Sequence, residues 1–328
     1  MRLLFAKLRH IGDALLVTPL ITAVRASYPD AEITVAVRKG SEGILAGCPA
    51  IDRLLTTAPP EKTRRGLRTF CGDLMTLGKI RANRFDHAVD LTHADRGRLL
   101  VGLSGADKRC ADGCVYPPKA PLRWLLNRLS TADWSHVHRA EADWKIVNDV
   151  LPLSLPPGPM VFERGRTSDC RIPCDSKTVI IHPATRWAIK EWPMDRWVEL
   201  AKFLTTNGRR VIVSVGPDPD EIAIGGRIRD GAGDGVISTK GGLNWRQLAG
   251  LMHRAGYFIG VDTAAMHLAA ACSLPSVALF HSSAQSKVWS PWQVPAEVLL
   301  PPGPTGEGRM EDIKLSAVVA AFGRLSGS

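Results

Sequence analysis

The 328-residue sequence contains no apolar run near the roughly 20 residues that a helical bilayer span requires, and its opening residues pass into a strand-like pattern, RLLFAKL, with no apolar leader. A cytoplasmic chain without a membrane anchor is therefore expected. Neither half carries G-x-G-x-x-G after its first strand, and G-x-x-x-x-G-K-[ST] occurs nowhere, so the dinucleotide-dehydrogenase and P-loop classes lose their main support. Helix-turn-helix, zinc-finger and aromatic RNA-binding signatures are missing as well. The 7 cysteines are odd in number, which excludes a complete disulfide framework and predicts reduced thiols. The pairs Cys110/Cys114 and Cys170/Cys174 have a spacing that zinc tolerates, but no knuckle surrounds either pair, and no metal is expected.

What is present is an ordinary globular composition, 45% hydrophobic and 23% charged, with a basic excess of 42 Lys and Arg over 32 acids and a net charge of +10. That excess favours an anionic partner: nucleic acid, a phosphorylated metabolite or an acidic lipid. The length suits two domains of roughly 150 residues, and two domains imply a cleft. Short β-branched runs alternate with helical patterns at 14–27, 41–47 and 66–84. The rhythm restarts at TVIIHP with helices at 194–206, 218–229, 244–255 and 264–272. It predicts an α/β protein with two Rossmann-like units of parallel sheet. The boundaries expected are 1–160 for the first domain, 161–176 for a Pro- and Gly-rich linker, 177–310 for the second domain, and 311–328 for a C-terminal helix packing back on the first.

In open α/β sheets ligands bind beyond the carboxyl ends of the strands, which directs attention to the loops there. In FIGVDTAAMHLAAA a buried strand ends at Asp262, and Thr263, Ala264 and Ala265 open a small-residue helix whose free N–H groups form an anion site, with His267 one turn on. The plainer alternative is an N-cap and a core histidine. In IHPATRWAIKEWP, Thr185, Arg186 and Lys190 suit phosphate oxygens, or form a solvated loop beside a core Trp192. In SVGPDPDE, Asp218, Asp220 or Glu221 suits a ribose, or caps a helix. Lys62, Arg64, Arg65 and Arg68 give a basic face for phosphates or carboxylates, or a merely solvated one. KAPLRWLLNRLSTADW reads as an ordinary core helix more readily than as a contact with an anionic membrane. Asp13, between a glycine and an apolar helix pattern, suits either an N-cap or a general base.

Taken together, GDALLVTPLITAVRASYPDAEITVAV, HPATRWAIKEWPMDRWVEL and LAGLMHRAGYFIGVDTAAMHLAAACSLPSVALF, followed by WSPW, resemble the lipopolysaccharide heptosyltransferases, inverting enzymes of glycosyltransferase family 9 with the GT-B fold, and most of all the third inner-core type. The resemblance covers most of the chain. It implies two Rossmann-like domains facing a central cleft and transfer of L-glycero-D-manno-heptose from ADP-heptose to a lipopolysaccharide inner core of the heptosyl-Kdo2-lipid A type. It gives Asp13 as general base, with His10 and Gly12 of its turn, Lys62, Arg64, Arg65 and Arg68 on the acceptor side. Thr185, Arg186, Lys190, Glu221, Gly242, Leu243, Asp262, Thr263, Ala264, Ala265 and His267 fall on the donor side. ADP-heptose is a substrate, and no cofactor, metal or nucleic acid is implied. Contact with the cytoplasmic face of the inner membrane is peripheral. The alternatives are a GT-B transferase or epimerase using another nucleotide sugar, an idle scaffold, and more remotely a basic nucleic-acid-binding protein, which predicts steeply salt-dependent association.

Overall fold

The structure, a computed structural model, describes residues 1–58, 67–303 and 308–327. The chain divides into two compact units, Met1–Gly158 and Pro159–Ser328. In the first, strands β1 (Arg2–Lys7), β2 (Glu32–Arg38), β3 (Arg53–Thr57), β4 (His87–Asp90), β5 (Lys108–Asp112) and β6 (Arg128–Ser130) form a parallel sheet in the order β3-β2-β1-β4-β5-β6. Helices α1 (Ile11–Leu15), α2 (Thr18–Ser27), α3 (Glu42–Leu45), α4 (Leu67–Ala82), α5 (Asp95–Gly102) and α6 (Arg139–Val150) complete it. The central strands β1, β2 and β4 are buried on both faces, and β1 and β2 accordingly read as near-continuous apolar runs.

The second unit repeats the plan. Strands β7 (Thr178–His182), β8 (Arg210–Val213), β9 (Val236–Ser238), β10 (Tyr257–Val261), β11 (Ser276–Leu279) and β12 (Ala296–Leu299) pair in the order β12-β11-β10-β7-β8-β9. Helices α7 (Met194–Thr206), α8 (Pro219–Ala232), α9 (Trp245–Met252), α10 (Ala264–Ala271), α11 (Ser283–Trp289) and α12 (Leu315–Ser326) surround it. Both sheets have the Rossmann strand order, so each has a switch point where the chain reverses direction across the sheet: between β1 and β4, and between β7 and β10.

Several elements differ from the sequence reading. The helix expected over 14–27 is two helices: Thr18, the first residue of the second, turns its hydroxyl back to the Leu15 carbonyl (2.9 Å), and Pro19 follows in its first turn. The helix expected within 120–134 is a short 3-10 turn, Leu122–Leu125, followed by β6. Its Trp124 is 77% exposed, so the core-packing reading of that stretch is wrong. The segment 161–176 runs along the second unit, where the Phe162 N–H donates to the Ala271 carbonyl (2.9 Å) and the Ser168 N–H to that of Arg246 (3.1 Å). The C-terminal helix buries Val318, Ala321 and Phe322 in the second unit's own core, against α7, β11 and β12. No described helix is long and apolar enough to cross a membrane.

Candidate active site

At the β7/β10 switch point of the second unit, two loops far apart in sequence meet. The loop after β7 is fastened from beneath by Trp192, whose indole N–H donates to the Ile313 carbonyl (2.8 Å) and whose ring meets Trp197 edge to face at 4.9 Å. A 3-10 turn, Ala188–Lys190, then brings the Lys190 ammonium to the Asp262 carboxylate at the end of β10, with Nζ donating to Oδ2 at 2.5 Å. Both side chains are largely buried, so the pair is screened little by water. Thr263 is the N-cap of α10 in extended conformation, and its buried Oγ1 has no hydrogen-bond partner among the described residues. Ala264 and Ala265 begin the helix, and their amides, lacking helical acceptors, supply donors with little side-chain bulk. His267 is buried one turn later.

The neighbouring loops are closely fitted. Thr185 accepts the Trp187 N–H on its hydroxyl (3.3 Å), while Arg186 is exposed. Of the three acids after β8, Asp218 caps α8 by accepting the Asp220 N–H (3.0 Å). Glu221 instead turns back to the strand end and accepts the Gly216 N–H (2.6 Å). Gly241, at φ +66°, approaches so near that a Cβ would lie 2.5 Å from the Gly216 carbonyl oxygen, so only glycine fits between the β8 and β9 loops. Gly242 and Leu243 follow directly, with the Gly242 N–H donating to the Thr239 carbonyl (3.1 Å). A cavity of about 660 Å³ lies under the same β7 loop, lined by Trp192, Trp197, Ile224, Arg227 and Met310 among others, and contains none of the sequence-predicted site residues.

In the first unit Asp13 is not an N-cap. It occupies the third position of α1, is buried, and accepts the backbone N–H of the N-cap residue, His10, on Oδ2 (3.3 Å). Gly12 lies beside it in the same turn. Of the basic acceptor-side residues, Lys62, Arg64 and Arg65 lie outside the described residues; Arg68 falls in the first turn of α4.

Sequence reading missed a buried charged network at the carboxyl edge of this sheet. Lys7 ends β1 at 1% exposure, and its ammonium meets Asp143 Oδ2 of α6 at 2.5 Å. Arg139 donates to the other oxygen of Asp143 (2.9 Å) and to the imidazole of His93. His93 in turn lies 3.7 Å from Asp112, the last residue of β5. Asp90 ends β4 in the same row, 3.9 Å from Arg98, and a Cβ on Gly97 would lie 2.1 Å from its Oδ1. The available signal was that the strand segments RLLFAK, HAVD and KRCAD each end on a charged residue.

Burial moves these groups. Desolvation, helped by the Arg139 charge, lowers Lys7 to about 8 although Asp143 and Asp13 both favour its charged form. It raises Asp90 to about 6 against hydrogen bonds from Thr92, and lowers His93 to about 4 against its contact with Asp112. At Asp143 burial acts upward, but Lys7 and Arg139 outweigh it and the carboxyl falls below the ordinary value. A histidine depressed in the folded state excludes a proton that the unfolded chain takes up below about 6.5. Its contribution is complete above that pH and is lost as pH falls towards 4. Asp90, shifted the other way, returns stability as pH falls from about 6 towards 3.8. His93→Asn, which tolerates the left-handed φ of 55°, is expected to lower overall stability. It should also make the loss between pH 7 and 4.5 shallower by roughly 2 kcal/mol, read from denaturant unfolding at both pH values; an unchanged pH slope would refute the assignment.

Comparison with known proteins places this geometry. The model of the family "Glycosyltransferase family 9 (heptosyltransferase)" matches residues 154–311. Lipopolysaccharide heptosyltransferase 3 of Escherichia coli K12 is 28% identical over 305 residues, spanning 87% of this chain and 83% of that protein. Among solved structures, a family 9 glycosyl transferase from Veillonella parvula superposes with a TM-score of 0.85 at 18% identity, covering 99% of this chain and 96% of that one. The E. coli heptosyltransferase WaaC with ADP gives 0.84 at 19% identity, covering 99% and 100%. Two Rossmann-like units of parallel sheet with these structural relatives define a GT-B glycosyltransferase fold. These matches identify the chain as a heptosyltransferase-type enzyme, the family 9 model itself covering residues 154–311.

Proposed function

We propose that the chain transfers a heptose from ADP-heptose to the inner core of lipopolysaccharide with inversion, the first unit taking the acceptor and the second the donor. The observation that carries this reading is the β7/β10 switch point, where the Lys190 ammonium, the unpartnered Thr263 hydroxyl and the open amides of α10 collect around one place. That is the equipment needed by a leaving diphosphate. The relatives suggest the substrates: the Escherichia coli K12 protein is a lipopolysaccharide heptosyltransferase, and the WaaC structure holds ADP.

In the proposed reaction Asp13 takes the proton of the acceptor hydroxyl as its oxygen attacks the anomeric carbon. The bond from that carbon to the diphosphate oxygen breaks on the opposite face, and ADP leaves with the electron pair. Lys190 and the Ala264 and Ala265 amides offset the charge that develops on the diphosphate. Asp262 holds Lys190 in place and faces the transferred sugar, while Glu221, Gly242 and Leu243 serve the nucleoside. Because the acceptor is a lipid, the enzyme works at the inner-membrane surface through peripheral contact.

Calorimetric titration of the purified protein with ADP, UDP and GDP in chelator-containing buffer tests the donor assignment. Selective binding of ADP is expected. Preference for UDP or GDP would move the function to another sugar transfer, and binding of none would overturn the donor site.

A further inference from the structure

The loops after β4, β5 and β6 bring three rings together at the carboxyl edge of the first sheet. His93 and Trp134 have centroids 4.8 Å apart, Tyr116 and Trp134 5.4 Å, and His93 and Tyr116 6.2 Å. The first two side chains are buried; Tyr116 is 56% exposed.

The backbone beneath that exposed ring is held by two buried charges. The Tyr116 N–H donates to Asp112 Oδ2 (2.7 Å), and the amides of the two preceding residues donate to Oδ1 (2.9 and 3.2 Å). From the other side the Arg98 guanidinium donates to the Tyr116 carbonyl. At Asp112 desolvation acts upward, but His93 and the three amides outweigh it and hold the carboxyl far below the usual range. Trp134, the floor under Tyr116, lies 4.7 Å from the Arg139 guanidinium, whose partner Asp143 also holds Lys7 at the end of β1. Loop residues with exposed side chains are ordinarily mobile. Here two buried ions and a ring stack fix one, the arrangement expected where the position of the ring matters for binding.

We infer that the exposed face of Tyr116 is a stacking platform for a sugar ring of the acceptor glycan. The inference rests on the glycosyl-transfer reading above and names a specificity residue within it. The C–H face of a pyranose is weakly positive and apolar, and it complements the negative face of an aromatic ring in a way that a phosphate or carboxylate does not. Two strand positions separate β5 from β1, the strand that leads to Asp13, a lateral distance of about 10 Å. In this proposal the ring on Tyr116 is a neighbour of the sugar that is attacked, and the platform selects the acceptor without touching the reacting atoms.

The test uses the full chain, ADP-heptose and a delipidated inner-core oligosaccharide, with three variants. Tyr116→Phe keeps the ring and is expected to stay within twofold of the parent. Tyr116→Ala and Tyr116→Leu are expected to raise the acceptor KM about tenfold with ADP affinity unchanged, while the thermal midpoint falls slightly through loss of the ring contact with Trp134. Unchanged acceptor KM in both, or equal loss in Tyr116→Phe, would overturn the platform. Titration of the same oligosaccharide without donor separates this from the donor reading. Tyr116-dependent binding by a protein that transfers nothing would support the platform and remove the donor assignment, whereas no oligosaccharide binding by the parent would overturn the platform itself.

Discussion

Asp13→Asn is expected to lower turnover by a factor of about 10² to 10⁴, the range for a missing general base, while ADP binds as before. Asparagine keeps the shape of the buried side chain and retains an oxygen for the His10 N–H, so the first turn of α1 stays capped. What it removes is the ability to take a proton. The thermal midpoint should therefore move little, and the loss should appear in kcat with the donor KM nearly constant. Turnover within a few-fold of the parent in a purified, folded variant would reject Asp13 as the base and leave it as the third residue of a capped helix.

The second large effect is expected at Lys190. Lys190→Met removes the cation from the proposed leaving diphosphate and leaves Asp262 without its 2.5 Å partner. A fall in kcat/KM for the donor of about 10² to 10³ follows from losing a preorganised electrostatic contact in a largely dry site. Weaker ADP binding should accompany it, in contrast to Asp13→Asn. Lys190→Arg should recover only part, because a planar guanidinium does not reproduce a compact ammonium. Steady-state kinetics with calorimetry of ADP separates the two variants; wild-type ADP affinity in Lys190→Met would exclude the lysine from the phosphate site.

Much of this architecture was legible in the sequence. The alternation of apolar runs with helical patterns was enough for two parallel sheets, because strands buried on both faces must be apolar throughout. The helix at 194–206 was placed to the residue, since Pro193 fixes its start and Asn207-Gly208 its end. The region from 108 to 150 was not read correctly. Its last strand is three residues long, and LRWLL has a helical pattern that the fold sets aside by leaving Trp124 in solvent. The same limit applies to the site. Loops 183–192 and 262–267 were marked by residue type, but a pair 72 positions apart, Lys190 and Asp262, is joined only by the order β10-β7. Lys7 and Asp143 are separated by 136 positions, and no local pattern links them. Asp13 itself differed from the N-cap reading, because a helix begun one turn earlier makes His10 the cap.

The most direct measurement is the anomeric configuration of the heptose in the transferred product, determined by NMR after incubating the enzyme with ADP-heptose and an inner-core acceptor. A single-displacement reaction with Asp13 as base predicts a linkage inverted relative to the donor. A product that retains the donor configuration would contradict it.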